Sequence, residues 1–463
     1  MAKKKPRIGL VDADLLNGGT RHPNLLLMKL SGFLKDNNFV VELITTNTIN
    51  ISRYKLIYIS KVFSFSPDPQ FYTTATKNQK RKFRIGGTGM YATKTKVPEF
   101  KQFRARDMHQ IENDPFLNTL PNKYSIEERP FGIDLRRQMP DYNLYNDYIE
   151  QKTQEGRNPN YYNDYKRYSI GFLTRGCIRH CPFCVNKLEN EISAYSKLEW
   201  FVSNERDEHG RLIRPYIYLW DDNFLAAPKE IWKPQLEALM KLGRPFQFRQ
   251  GLDERIIAES PDGEEIAKML SQCKYHGDFI FAFDNWQDRE KIIKALKIWR
   301  KYNPKKGTKF YLFCGYRMTP DNLERFYEDI CLIFKRIEIL MKFGCVGYVM
   351  RHEDYHNSPL PNLYVQIARW CNQQAFYKKM SFWEFVYRNQ SFWEETTKKI
   401  VGRPKQKSYD GFMEDVKAGY YDNVKMCLPL RTIVELFDMF PEHVDELLDL
   451  FSLKFEILKK SNQ

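Results

Sequence analysis

The sequence predicts an α/β protein built on parallel sheets, with a helical region at its C-terminal end. Three observations carry that expectation. Short apolar runs alternate with segments of helical periodicity, first over residues 7–59 and again, more regularly, from 168 to 350. Parallel neighbours need a crossover between them, usually a helix, so this alternation implies parallel sheets. Each apolar run after 168 also ends on polar or reactive residues, and beyond 353 the runs give way to aromatic-rich helical segments.

A length of 463 residues suggests roughly three domains. Hydrophobic residues at 42% and aromatic residues at 15% can fill sizeable cores. No apolar run approaches the roughly 20 residues that span a bilayer. Basic Met1–Arg7 is followed only by Ile8–Val11 before Asp12, too short for a signal-peptide core. The expectation is a cytoplasmic protein without a membrane partner, where free cysteines stay reduced. The formal charge of +15 favours anionic partners, nucleic acid among them. That charge is spread along the whole chain, as it also is in basic enzymes that never meet nucleic acid.

The expected layout is a domain over 1–100, a connecting segment over 101–165, a strand–helix domain over 166–355 and a helical domain over 356–463. Arg7–Asp12 reads as a strand ending at a carboxylate, followed by the turn Asn17-Gly18-Gly19. Leu26, Leu27, Leu30, Phe33 and Leu34 then mark one face of a helix. Phe39–Ile44 and Leu56–Ile59 are further strands, and Arg84-Ile85 leads into Gly86-Gly87-Thr88-Gly89. This is the pattern of a flavodoxin-like or Rossmann-like sheet, whose ligands bind beyond the C-terminal strand ends. Asp12, Asp14, Gly18, Gly19 and the glycines at 86–89 would gather there, although such glycines also serve as plain turn residues. Residues 91–165 are polar and tyrosine-rich, a long connection that is either functional or folded against its neighbours.

From 168 onward the expected strands are Tyr168–Leu173, Tyr216–Trp220, Phe246–Arg249, Phe279–Phe283, Phe310–Cys314 and Val346–Met350. Helical patterns lie between them at about 228–242, 262–273, 287–302 and 320–343. The strand exits carry, in order, a cysteine loop, Asp221-Asp222-Asn223, Arg249 to Asp253, Asp284-Asn285, Gly315-Tyr316-Arg317 and Arg351 to Asp354. Past 353, helices are expected near Leu363–Phe376, Phe382–Tyr387, Phe392–Ile400, Leu430–Phe440 and Val444–Lys460, with a basic linker at Gly402–Lys407. Aromatics interleaved with basic residues there can stack on single-stranded bases. Helical spacing makes them first of all packing residues.

The cysteine loop is Thr174-Arg175-Gly176-Cys177-Ile178-Arg179-His180-Cys181-Pro182-Phe183-Cys184. Three of the nine cysteines fall within it, spaced C-x3-C-x2-C. Three thiolates on one loop can hold three irons of a 4Fe–4S cluster and leave the fourth open, whereas such clusters ordinarily take four cysteines. A zinc site on Cys177, Cys181 and Cys184, with His180 or a later residue as fourth ligand, is the alternative. Zinc loops usually show two ligand pairs, and the other six cysteines are isolated. Three ordinary buried thiols are the remaining option.

This spacing, with Phe183 just before the last cysteine, resembles the radical S-adenosylmethionine (SAM) enzymes. The six strand–helix repeats resemble their partial (β/α)6 barrel, of TIM type. Gly86-Gly87-Thr88-Gly89 and Met139-Pro140-Asp141-Tyr142-Asn143-Leu144-Tyr145 are similar to stretches in the branch of that superfamily with an N-terminal cobalamin-binding domain. The D-x-H-x-x-G signature of many cobalamin proteins is absent, and His22 sits in a different context, Thr20-Arg21-His22-Pro23.

The resemblance implies a 4Fe–4S cluster on Cys177, Cys181 and Cys184, SAM as cosubstrate, and cobalamin where the N-terminal domain has kept it. It further implies Asp221, Asp222 and Asn223 as acceptors for the SAM amine, and Arg317 or Arg249 as partner of its carboxylate. Asp253 or Asp284 would accept from the ribose hydroxyls, and Phe183 would lie near the adenine. A small reductant protein such as flavodoxin or ferredoxin would supply electrons. Tyr316, His352, Cys314 and Cys345 are candidate walls of the substrate site, and methylation of an unactivated carbon is the reaction expected with cobalamin. The expectation from another class is a zinc-containing nucleic-acid-binding protein without SAM chemistry.

Overall fold

The computed structural model describes residues 5–16, 20, 22–92, 110–125, 127, 129–187, 189–397, 408–423 and 425–460. The turn at 17–19, residues 93–109 of the connecting segment and the basic stretch 402–407 lie outside the described residues. The protein is of mixed α/β class with parallel sheets and many helices. It divides into two compact units, Met1–Gln250 with Cys273–His276, and Gly251–Gln272 with Gly277–Gln463. The division therefore falls inside the stretch 166–355.

In the first unit, β1 (Arg7–Asp12), β2 (Val40–Leu43), β3 (Leu56–Ser60) and β4 (Phe83–Gly86) form an all-parallel sheet in the order β2-β1-β3-β4. β1 and β3 read as nearly unbroken apolar runs because their residues are buried, as central parallel strands are. The helix Leu25–Asp36 starts where the Asn24 side chain accepts from the Leu27 N–H, and it buries Leu27, Leu30, Phe33 and Leu34.

The connecting segment is core material. Leu117, Ile133, Leu135, Tyr142, Leu144, Tyr145, Tyr148, Ile149, Tyr162 and Tyr165 share one apolar cluster with Ile8, Leu10, Leu27 and Phe33. The Pro140–Tyr145 stretch locks it in place. The Asp141 carboxylate accepts from Ser31 Oγ and from Lys35 Nζ, both at 2.6 Å. The Tyr142 hydroxyl donates to the Phe201 carbonyl at 2.6 Å and accepts from the Ile170 N–H at 2.9 Å. The Tyr145 hydroxyl donates to Asp12 at 2.9 Å.

Still in the first unit, β5 (Tyr168–Gly171) leads to β6 (Thr174–Gly176), which runs antiparallel to β7 (Ile192–Ala194). β8 (Tyr216–Leu219) and β9 (Phe246–Phe248) complete a parallel sheet in the order β5-β8-β9. The helix Lys229–Leu242 follows β8 and ends at Gly243.

The second unit holds β10 (Phe279–Ala282), β11 (Thr308–Cys314) and β12 (Val346–Arg351), parallel and in that order. Helices Gly263–Gln272, Arg289–Tyr302 and Leu323–Lys342 match the expected spans to within a few residues. The C-terminal region is helical as expected, with helices Pro361–Cys371, Gln374–Lys379, Phe382–Thr397, Leu428–Met439, Val444–Phe451 and Phe455–Lys460. Most of its aromatics are packing residues: Trp370, Tyr377, Phe382, Trp383, Phe385 and Tyr387 are buried. No helix among the described residues is long and apolar enough to cross a membrane.

Candidate functional site

The cysteine loop hangs between β6 and β7, at the C-terminal end of β5. Its root depends on Gly176, whose φ is +105°. A Cβ there would come within 2.1 Å of the Glu191 carbonyl oxygen, so no other residue fits. Cys177, Cys181 and Cys184 are all half-buried, and none is joined in a disulfide. A tight turn joins the last two, with the Cys184 N–H donating to the Cys181 carbonyl at 2.9 Å. His180 Nδ1 lies 2.9 Å from the Lys187 carbonyl. A carbonyl only accepts, so this nitrogen carries the proton and is not free to bind a metal.

Two carboxylates from the exit of β8 hold the root of the loop. Asp221 accepts from the Leu173 N–H at 3.1 Å, the Thr174 N–H at 2.6 Å and the Thr174 hydroxyl at 2.7 Å. Asp222 accepts from the Gly176 N–H at 3.0 Å and pairs with Arg175 Nε at 3.1 Å. Burial pushes the Asp221 carboxyl up to about 7, against the pull of its Thr174 and Leu173 bonds.

Donors also point at the sulfurs. The Arg179 N–H lies 3.3 Å and Asn223 Nδ2 3.5 Å from Cys177 Sγ, and the Asn186 N–H lies 3.4 Å from Cys184 Sγ. Burial raises the Cys184 thiol to about 11. Among the described residues no three His, Cys, Asp or Glu side chains stand together as ligands of one metal ion.

Of the residues expected around this loop, the first unit brings together the three cysteines, Phe183, Asp221, Asp222 and Asn223. Asp221 and Asp222 are engaged by the loop backbone and by Arg175. Arg249, at the exit of β9, lays its guanidinium over the Tyr218 ring at 4.5 Å and donates to Gln247 at 3.0 Å. Sequence reasoning gave no role to Thr174, Arg175 or Gln235. Arg175 also covers the Phe172 ring at 4.3 Å, and Gln235 donates to the Leu173 carbonyl at 3.1 Å. Thr174 and Arg175 adjoin the motif, which was the available signal; nothing in the sequence marks Gln235.

Asp253, Asp284 and Arg317 belong to the second unit. Asp253 is buried and paired with Arg255 at 2.7 Å. Burial lifts the Asp284 carboxyl to about 6, opposed by Arg336. Arg317 is exposed at φ +56°; its N–H donates to Asp354 at 2.8 Å and its guanidinium lies over Tyr316. Tyr316 and His352 meet edge-on at 4.9 Å. Cys314 and Cys345 are buried, and burial drives the Cys345 thiol up to about 12.

The N-terminal sheet has its own crevice. A cavity of about 220 Å³ is lined by Leu27, Tyr58, Ser60, Arg84, Gly86, Gly87 and Asp114, among others. Tyr58 is buried, and its hydroxyl has no hydrogen-bond partner among the described residues. Asp12 accepts from Tyr145 and from the Leu15 N–H, while Asp14 accepts from the Val62 N–H at 2.7 Å and the Phe63 N–H at 3.2 Å. His22 Nδ1 lies 2.6 Å from Asp164.

Searched against protein-family models and against curated proteins, the chain matches none.

Proposed function

We propose that the protein is a radical SAM enzyme whose 4Fe–4S cluster is held by Cys177, Cys181 and Cys184. The observation that carries this is the C-x3-C-x2-C loop at a parallel-strand exit, with N–H and amide donors directed at two of its sulfurs. Hydrogen bonds to the sulfurs are among the levers that tune an iron–sulfur cluster. The spacing favours a cluster over a single zinc ion: zinc loops usually show two ligand pairs, and the other six cysteines are isolated along the sequence.

When bound, the reduced cluster supplies the electron that splits the SAM sulfonium and releases a 5′-deoxyadenosyl radical. The chain's own part is to hold and shield. Asp221 fixes Leu173 and Thr174, Asp222 fixes Gly176, and Asn223 donates to Cys177, so the turn after β8 sets where the thiols stand. Arg317 and Arg249 are the candidate partners of the SAM carboxylate, a role suited to a planar guanidinium; Arg249 lies at a strand exit of the first unit. The parallel strand–helix repeats over 166–355 are the units from which the partial (β/α)6 barrel that accompanies such chemistry would be built. No step is assigned to cobalamin.

The test is anaerobic reconstitution followed by dithionite and SAM. The expected result is a brown chromophore with about four irons per chain, as a 4Fe–4S cluster requires, and formation of 5′-deoxyadenosine. Both should vanish in Cys181→Ala. Zinc instead of iron, or deoxyadenosine formation that survives Cys181→Ala, would overturn the assignment.

A further inference from the structure

The helical region contains a second cavity, of about 310 Å³, that the chemistry above does not use. Six residues line it: Arg369, Gln373, Phe376, Phe385, Arg388 and Asn389. They come from three successive helices, Pro361–Cys371, Gln374–Lys379 and Phe382–Thr397, or from the turn joining the first two. The lining holds two guanidiniums, two primary amides and two aromatic rings, and no carboxylate.

Neither Arg369 nor Arg388 is paired with an acid among the described residues. Among the described residues Arg369 makes a long bond, 3.4 Å, to the Gln366 side chain. Arg388 lies over the Phe376 ring at 5.2 Å. Phe376 and Phe385 meet at 5.1 Å between ring centres. Phe385 is buried, whereas Phe376 is half-buried, unlike the neighbouring aromatics that helix packing has taken up. Lys378 and Lys379, on the same short helix as Phe376, are exposed.

We propose that this cavity takes one nucleotide of a single-stranded nucleic acid. The two arginines meet backbone phosphate, as guanidiniums do bidentately. The Arg388 guanidinium layered over Phe376, or the ring itself once Arg388 turns to phosphate, offers the stacking surface for a base. Gln373 and Asn389 carry both donors and acceptors, the groups that read base edges. A strand suits the site better than a free nucleotide because the cationic surface continues beyond the cavity at Lys378 and Lys379. The net charge of +15 favours a polyanion for the same reason.

The experiment is fluorescence anisotropy of the full chain with labelled single-stranded RNA and DNA of one sequence, about ten nucleotides long, over a range of salt. Binding should weaken as salt rises, with a log–log slope of about −0.7 for each phosphate met. Arg369→Gln with Arg388→Gln should lower affinity about tenfold or more and flatten that slope by roughly 1 to 2. Phe376→Ala should lower affinity about fivefold or more and leave the slope unchanged. Both arginines are exposed, so the double variant should melt like the native protein.

Preference between the RNA and DNA arms identifies the strand. Three results would each overturn the proposal: unchanged affinity in both variants, displacement by poly-glutamate as effective as by unlabelled oligonucleotide, or equal displacement by AMP. The readout needs no cluster, so failure of the radical SAM assignment and failure here are separate results.

Discussion

Two strand exits in the first unit use the same device for different ends. Asp14, just past β1, accepts two backbone N–H groups of the segment leaving β3. Asp221, just past β8, accepts two backbone N–H groups of the segment leaving β5. In each sheet a buried aspartate on one strand's exit clamps the exit of its neighbour. What the clamp presents differs. Beyond β3 it holds Val62 and Phe63, with Phe63 stacked on Phe65 at 5.2 Å and both rings exposed. Beyond β5 it holds the root of a loop with three thiols. Each carboxylate is taken up by the backbone it clamps, and what differs is the segment each one steadies.

That comparison can be broken by removing the clamps one at a time. Asp221→Ala strips three hydrogen bonds and leaves two backbone N–H groups without their acceptor. At about 1–3 kcal/mol for each buried group left unsatisfied, a loss of roughly 3 kcal/mol or more is expected in urea unfolding. Iron and sulfide uptake should fall with it. Asp14→Ala should cost roughly 2 kcal/mol by the same count, because it frees two N–H groups, yet leave iron uptake as in the native chain. If both variants lose iron equally, the first unit responds as a whole and the clamps are not local devices.

Much of this was legible in the sequence, and what was not has a physical reason. The parallel strands and the helices up to Lys342 follow from hydrophobic period and stand within a few residues of where periodicity put them. In the C-terminal region, by contrast, the expected helices Phe382–Tyr387 and Phe392–Ile400 are one helix, Phe382–Thr397, and the expected helices Leu363–Phe376 and Val444–Lys460 are each split in two. The partners of the exit residues were not legible. Asp221 looks like a free acceptor because sequence reveals a carboxylate at a strand end but not the Thr174 N–H 47 positions upstream. The connecting segment read only as a long polar connection because half of the core residues named above are tyrosines, scattered among charged and polar residues, and its helix Asn146–Gln154 is short and mostly polar. Packing against β1 and the helix after it shows these residues to be core. The division after Gln250 left no trace either, since the strand–helix alternation runs through it unbroken.

A smaller effect sharpens the crevice of the N-terminal sheet. Gly87 has φ +95°, and a Cβ there would come within 2.3 Å of the Lys61 carbonyl oxygen. Gly86, its neighbour, has nothing within 4 Å of the same added atom. Gly87→Ala should cost about 1–3 kcal/mol, the range for a side chain forced into such backbone. Gly86→Ala should stay within about 0.5 kcal/mol. Equal costs in urea unfolding would mean that the close approach to Lys61 relaxes freely.

The smallest expected effect is a pH dependence seated at Asp12. Burial raises its carboxyl to about 7, and the Tyr145 hydroxyl opposes that rise by donating to it. The folded chain then holds a proton that the unfolded chain has released above about 4. Stability contributed by this group therefore falls as pH rises from about 4 to about 7 and is flat beyond. In Tyr145→Phe the donor to the carboxylate is gone, so the folded-state value moves higher and the fall continues past 7. The variant's deficit relative to the native chain should accordingly grow between pH 6 and pH 8, by about 1 kcal/mol if the shift is near one unit. A deficit that is the same at both pH values in urea unfolding would show that Tyr145 acts only through its bond to the Asn24 N–H and its packing, and that the carboxyl of Asp12 is steadied by something else.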